Sequence, residues 1–189
     1  MSAFEHLLTL VSFVLALSMA TLLLFVATLW RRRKEARFSL PHALWMLIIF
    51  LNQVGFWIGA YNFHDVETAT YFSIVFIIVQ PVLLFLQSAF VVTGDDGPPD
   101  LRAHHADNGR AYLALAAVVP LIEAAFMAHA ISLNWDLEVY FIMQGVSVAA
   151  ILLALLVRNR IVQIAVPALV LVLQFVNIYF AADTLVGAG

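Results

Sequence analysis

Polar residues interrupt the long apolar stretches of this 189-residue sequence at a few positions. Glu123 is the only acidic residue deep within such a stretch. A charged carboxylate at the centre of a bilayer costs about 2.5 kcal/mol or more, so it marks an ion pathway, a proton relay or a ligand site by default. The alternative is a structural role, in which Glu123 is protonated or bonded to an amide. The other polar residues in apolar stretches are amides: Asn52, Gln53, Gln80, Gln87, Gln144, Gln174 and Asn177.

These polar residues fall at overlapping depths. Counting about 1.5 Å per helical residue places all of them except Gln87 between the mid-plane and the outer third of a membrane. Amides also hydrogen-bond between membrane helices for about 0.6 to 2 kcal/mol each, without any further role. A carboxyl buried among amides with no basic partner suits proton exchange or cation binding. We therefore predict an outward-facing pocket lined by Glu123, Gln53, Gln80, Gln144, Gln174 and Asn177.

The six histidines are candidates for metal or haem binding. His6, His64 and His129 are predicted near the outer face, and His42, His104 and His105 near the inner face. A haem needs two histidines that face one another at equal depth, and His6 with His129 is the pair that deserves a check. Isolated interfacial histidines are commoner, so we predict no metal site and no required cofactor.

Several classes of chemistry find no residues to support them. The sequence has no cysteine, which excludes disulfides, thiolate catalysis and cysteine-bound metal centres. It has no phosphate-binding glycine loop, no HExxH or GxSxG motif, no TVGYG filter and no string of spaced arginines. No enzyme class, ATP-driven activity, voltage sensing or nucleic-acid partner is predicted.

The elements that must position these residues are membrane helices. The sequence is 64% hydrophobic and 11% charged, with a mean hydropathy of +0.99. About 20 apolar residues cross a hydrocarbon core of about 30 Å as a helix. The prediction is a single all-α transmembrane domain over 1–189, with helices at about 5–30, 40–62, 69–93, 109–132, 136–157 and 161–183.

The basic residues define an orientation for this bundle. All nine Lys and Arg residues lie in segments 31–37, 102–110 and 158–160, which follow the first, third and fifth helices. The opposite loops carry acids and no basic residue. The positive-inside rule then predicts six helices with both termini outside the cytoplasm. The first helix is expected to be retained, because its basic cluster follows the apolar stretch.

Other features concern packing and loops. Gly55 and Gly59 form a small-xxx-small pattern, which serves either packing within the molecule, the favoured interpretation, or a dimer interface. The four tryptophans and five tyrosines are predicted to be interfacial anchors. The segment from Gly94 to Asn108 is predicted to be an irregular, solvated loop because it is rich in glycine, proline and aspartate.

The stretch from His42 through Trp45 and Gln53 to Trp57 resembles a segment of uncharacterised small multi-helix membrane proteins of bacteria. The tight basic loops are similar in style. The resemblance implies a bacterial inner-membrane location and no assigned activity. It carries over no catalytic residue.

Three functions remain open. The first is a small transporter, channel-like or ligand-binding bundle that handles a proton, cation or small polar solute at the Glu123 pocket. The second is a non-catalytic accessory, sensor or assembly subunit that docks on another membrane protein or on a second copy. The third is an intramembrane redox protein that uses histidines.

Overall fold

The computed structural model describes the backbone of residues 3–61, 71–94, 99–130 and 135–186, and the side chains of 6–60, 74–94, 99–128 and 138–178. Each helix in the described part contains a stretch long and apolar enough to cross a membrane. This confirms the prediction of an all-α chain with six helices of membrane-spanning length. The helices are α1 (Ala3–Arg31), α2 (Leu40–Tyr61), α3 (Tyr71–Val91), α4 (Leu101–Ala130), α5 (Trp135–Leu156) and α6 (Arg160–Val186).

The α4 helix begins at Leu101, well before the predicted start at 109. The prediction of an irregular loop through Asn108 is therefore wrong for residues 101–108. Asp100 caps this helix, because its Oδ1 accepts hydrogen bonds from the backbone N–H groups of Arg102 (3.1 Å) and Ala103 (2.9 Å). The bond from Ala103 is the main reason that the pKa of the Asp100 carboxyl lies below its usual value.

The loops that carry the basic residues meet at one end of the bundle, which we call the basic end. The N–H of Arg37 donates to the carbonyl of Pro99 (2.9 Å), and the carbonyl of Arg37 accepts from the N–H of Leu101 (3.0 Å). These bonds tie the α1–α2 loop to the α3–α4 loop. His105 at the start of α4 hydrogen-bonds Gln163 at the start of α6 (2.9 Å), which brings the α5–α6 connection to the same end.

The α2 helix packs against α1, α3, α4 and α6, while α5 packs against α4 and α6. Trp45 on α2 and Tyr112 on α4 are both 0% exposed and belong to the larger core cluster. The prediction that these two residues are interfacial anchors is wrong. Tyr112 is buried because α4 starts early, which places this residue three turns inside the helix and away from its end. Trp57 is 55% exposed, as an anchor should be.

The small-xxx-small pattern of α2 makes no close helix contact in the described part of the chain. A Cβ atom built on Gly55 or Gly59 would meet no described atom within 4 Å. The favoured interpretation, close packing within the molecule, therefore has no contact among the described residues to support it.

Candidate functional site

Glu123 lies on α4, partly buried, where α3 and α5 converge on it. Gln80 of α3 donates from Nε2 to Oε1 of Glu123 at 2.7 Å, and Gln144 of α5 donates from Nε2 to Oε2 at 3.1 Å. The same Gln144 amide also donates to the hydroxyl oxygen of Tyr140, one turn earlier on α5, at 2.8 Å. Each carboxyl oxygen of Glu123 is therefore held by a neutral amide from a different neighbouring helix.

A cavity of about 60 Å³ lies beside Glu123. One water molecule needs roughly 10–15 Å³ of such space, so the cavity holds a few waters, a small ion or a small polar solute. Drug-sized ligands occupy pockets of about 300 Å³ or more and are too large for it. The polar residues along its wall come from α2, α4, α5 and α6: Asn52, Glu123, Tyr140, Gln144, Ser147, Gln174 and Asn177.

Pro120 interrupts the backbone hydrogen bonds of α4 beside this cavity. Proline has no N–H, so the carbonyl of Ala116, four residues earlier on α4, lacks its usual helical donor. Both residues line the cavity, three and seven residues before Glu123. The helix therefore has a carbonyl without its usual donor and a carboxyl group on residues that line the same space.

Gln174 connects α6 to α2 at the opposite wall. Its Nε2 donates to Oδ1 of Asn52 at 2.6 Å and lies 3.4 Å from the carbonyl of Ile48. Its Oε1 has no hydrogen-bond partner among the described residues. Asn177 follows one turn later on α6 and lines the same cavity. The predicted residues Glu123, Gln144, Gln174 and Asn177 thus share one space, and Gln80 reaches it through Glu123.

Gln53 lies in a different polar network, between α1, α2 and α3. Its Nε2 donates to Oγ of Ser88 at 2.7 Å, and Ser18 donates from Oγ to the same oxygen at 2.9 Å. Ser88 in turn donates to the carbonyl of Leu84 at 3.0 Å. All three polar side chains are 0% exposed. This network is a hydrogen-bonded link between helices and is separate from the cavity.

Replacing Ser88 with alanine is expected to destabilise the protein by about 1–3 kcal/mol, because it leaves the buried groups of Gln53 and Ser18 without their shared partner. Unfolding in detergent, followed by circular dichroism, measures the effect. Ser147→Ala is the matched control, since among the described residues the Ser147 hydroxyl bonds only the Met143 carbonyl of its own helix, at 2.9 Å. Equal losses of stability in the two variants would contradict the role of Ser88.

Two residues that line the cavity, Asn52 and Tyr140, were not in the predicted pocket. Asn52 and Gln53 are neighbours about 100° apart on a helix, so only one of them can face a given space, and the sequence does not indicate which. Tyr140 was assigned to the membrane interface. Its spacing of four residues from Gln144 places both on one helix face, and this was the signal available for it.

The histidine candidates divide between the two ends of the bundle. His6 is exposed. His64 and the side chain of His129 lie outside the described residues. The predicted pairing of His6 with His129 therefore also lies outside them. The described part of the chain contains no group of three or more His, Asp or Glu side chains arranged to hold a metal ion. His42, His104 and His105 do come close together, at the basic end.

The residues from His42 to Trp57 that carry the family resemblance are spread over different environments. Trp45 and Gln53 are buried, whereas Trp57 faces outward. These residues therefore form no common site. Comparison with known proteins finds no family model, no curated protein and no solved structure that matches the chain.

Proposed function

We propose that this protein is a small transport or ligand-binding bundle in which the cavity beside Glu123 takes up a proton, a small cation or a small polar solute. The observation that carries this proposal is the carboxyl group of Glu123 in the cavity wall, with a glutamine amide on each oxygen. No lysine or arginine is among the described residues that line the cavity. A bound proton or cation is then what balances the carboxylate charge.

The donor chemistry of the cavity supports a hard cation or a proton over an anion. Hard cations prefer carboxylate and carbonyl oxygens. Glu123 supplies the carboxylate, and Gln174 supplies a side-chain oxygen without a partner among the described residues. The small volume favours a solute that sheds most of its water.

The expected orientation follows from the charges of the loops. Except for Ser147, the polar cavity residues fall in the halves of α2, α4, α5 and α6 that are remote from the basic end. If the basic end is cytoplasmic, as the positive-inside rule predicts, the cavity lies toward the outside and both termini are extracytoplasmic. The resemblance noted above favours the bacterial inner membrane.

Ligand-dependent stabilisation tests the proposal. The detergent-purified protein is titrated with Na⁺, K⁺ and protons while its unfolding is followed, and a ligand at 100 times its Kd should stabilise it by about 2.7 kcal/mol. Glu123→Gln is expected to abolish the stabilisation. Glu138→Gln, the same change at an exposed acid of α5, should leave it intact. Stabilisation that survives Glu123→Gln would contradict the proposal.

A non-catalytic accessory, sensor or assembly subunit is the second candidate. Gly55 and Gly59 of α2 favour it, because a Cβ at either would meet no described atom within 4 Å and small residues allow another membrane helix to approach closely. This alternative expects the Glu123→Gln variant to behave as the wild type in every titration. The two candidates therefore give opposite results in the same experiment.

A further inference from the structure

Three histidines and a tyrosine meet at the basic end of the bundle. The ring of His42 on α2 lies 5.5 Å from the ring of His104 and 6.4 Å from that of His105, measured between ring centres. The ring of Tyr112 lies 5.9 Å from that of His42, and every one of these pairs meets nearly edge-on. The early start of α4 creates this cluster, because it makes residues 104 and 105 helical.

The hydrogen bonds of His105 determine where its proton lies. Gln163 donates from Nε2 to the carbonyls of Ala154 (2.7 Å) and Val157 (2.8 Å), so its Oε1 must be the atom that accepts from Nε2–H of His105. In neutral His105 the other nitrogen, Nδ1, then accepts the hydroxyl proton of Tyr112. Tyr112 and His105 therefore form a directed donor–acceptor pair, and His105 is partly exposed at the basic end.

His104 has both ring nitrogens occupied. Its Nε2 lies 3.0 Å from the carbonyl of Phe90 and so carries a proton, and its Nδ1 lies 3.2 Å from the amide nitrogen of Asn108. The partner of Nδ1 in His104 is an amide N–H, which does not hand over its proton, whereas the partner of Nδ1 in His105 is a hydroxyl group, which can. His104 therefore serves as an internal comparison for the other two rings.

His42 is the member of the cluster with an available nitrogen. It is 0% exposed, and neither ring nitrogen makes a hydrogen bond of good geometry with the described residues, although the main chain of Val91 faces the ring. A neutral imidazole always has one N–H group and one free lone pair. A buried side chain of this kind is placed to accept a proton on one nitrogen and to release one from the other.

The cluster begins where the Glu123 cavity ends. Trp45 lies three residues after His42 and Ala116 four residues after Tyr112, which is about 4.5 and 6 Å along the helix axes. Both Trp45 and Ala116 line the cavity. The indole N–H of Trp45 also has no hydrogen-bond partner among the described residues. One helical turn therefore separates the cavity from His42 and Tyr112.

The two polar regions together cover most of a membrane. His105 and Glu123 lie 18 residues apart on α4, which corresponds to about 27 Å in a hydrocarbon core of about 30 Å. The cavity and His42 lie between these two residues. Titratable groups thus succeed one another along the length of the bundle.

We propose that His42 transfers protons between the Glu123 cavity and the Tyr112–His105 pair, so that the solute handled at Glu123 is a proton that crosses the bundle. This inference rests on the proposed function and names its substrate. His42 accepts a proton on its free nitrogen and releases one from the other. Tyr112 passes its hydroxyl proton to Nδ1 of His105 as it receives another from His42 across one water or one side-chain rotation.

The transfer is balanced in charge and atoms. His105 releases a proton from Nε2 to the solvent at the basic end. One proton is therefore released there for each proton taken up at Glu123, and no electron moves. Among the described residues, the titratable groups whose rings contact that of His42 are His104, His105 and Tyr112 of α4. The neutral side chains of Gln87 on α3 and Gln163 on α6 hydrogen-bond members of this cluster. Charged residues at this end include Arg102, Asp107 and Arg110 of α4. Arg37 and Asp100, just outside the helices, pair with each other at 3.4 Å.

Proton uptake by liposomes tests this path. The full chain is reconstituted with an internal pH-sensitive dye, and a potassium diffusion potential drives uptake. His42→Gln keeps a polar side chain that cannot carry a proton, and Tyr112→Phe removes a single oxygen atom. Each is expected to reduce uptake by about a hundredfold or more, the usual contribution of a positioned proton-transfer group. His104→Gln is the matched control and should retain the wild-type rate.

The outcomes separate this inference from the function on which it rests. Uptake that persists in His42→Gln and Tyr112→Phe, but is lost in Glu123→Gln, would overturn the role of His42 and leave the proposed function standing. A second outcome would also overturn the role of His42 and leave the proposed function standing. In it, wild-type liposomes show no proton uptake although a cation still stabilises the purified protein through Glu123. If His42→Gln fails to fold, Tyr112→Phe decides, because it leaves the packing of the cluster almost unchanged.

Discussion

Replacing Trp45 with alanine is expected to destabilise the protein by about 3–5 kcal/mol, the usual cost of truncating a buried aromatic side chain. Trp45 is 0% exposed and packs in the core cluster that joins α2 to α4, α5 and α6. It also forms part of the wall of the Glu123 cavity. Truncation would therefore remove packing and enlarge the existing cavity. Because native proteins are stable by only about 5–15 kcal/mol, this change is a large fraction of the total.

Trp57→Ala is the control for this prediction. It is the same substitution on the same helix, but its side chain is 55% exposed, and surface changes usually stay within about 0.5 kcal/mol. Thermal and denaturant unfolding in one detergent compares the two variants. Similar losses of stability would show that Trp45 does not hold the core together as its burial indicates.

Replacing Gln80 with leucine is the second substitution with a large expected effect. Gln80 is 0% exposed and donates the shorter of the two bonds that Glu123 accepts, at 2.7 Å. Its loss would leave one buried carboxyl oxygen without a donor, at a cost of about 1–3 kcal/mol in unfolding free energy. The carboxyl group would also lose its fixed position, so we expect ligand-dependent stabilisation to fall together with stability.

The matched control is Gln87→Leu, two helical turns later on α3. Gln87 is also 0% exposed, but its Nε2 makes only a long contact of 3.4 Å with the carbonyl of Tyr112, and it does not line the cavity. Both variants are titrated and unfolded under the same conditions. A ligand response that is unchanged in Gln80→Leu, or equally reduced in Gln87→Leu, would contradict a specific role for the bond between Gln80 and Glu123.

The described residues divide the buried amides into two kinds. Gln53 donates to Ser88 in a network with Ser18, away from the cavity. Gln174 lines the cavity. The Oε1 atoms of both glutamines have no hydrogen-bond partner among the described residues, so their location is what separates them. The first kind stabilises contacts between helices, and the second is available to a ligand. Residue type alone does not distinguish them, because both are glutamines inside membrane-spanning helices.

The sequence by itself determined the number, type and approximate limits of the helices. Apolar stretches of about 20 residues have few alternatives to a helix in a bilayer, since every backbone polar group must be satisfied internally. The position of Glu123 in an apolar stretch also identified it as the leading candidate for a functional residue. These are local properties, which depend on composition and on neighbours along the chain.

The tertiary structure decided which polar side chains meet. The early start of α4 depends on the Asp100 cap and on the bonds between Arg37 and the neighbouring loop. It brings the rings of His104 and His105 into contact with that of His42. Whether Asn52 or Gln53 faces the cavity depends on how α2 is rotated against four other helices. Helix rotation is set by the packing of all the helices at once, so no single stretch of sequence contains it.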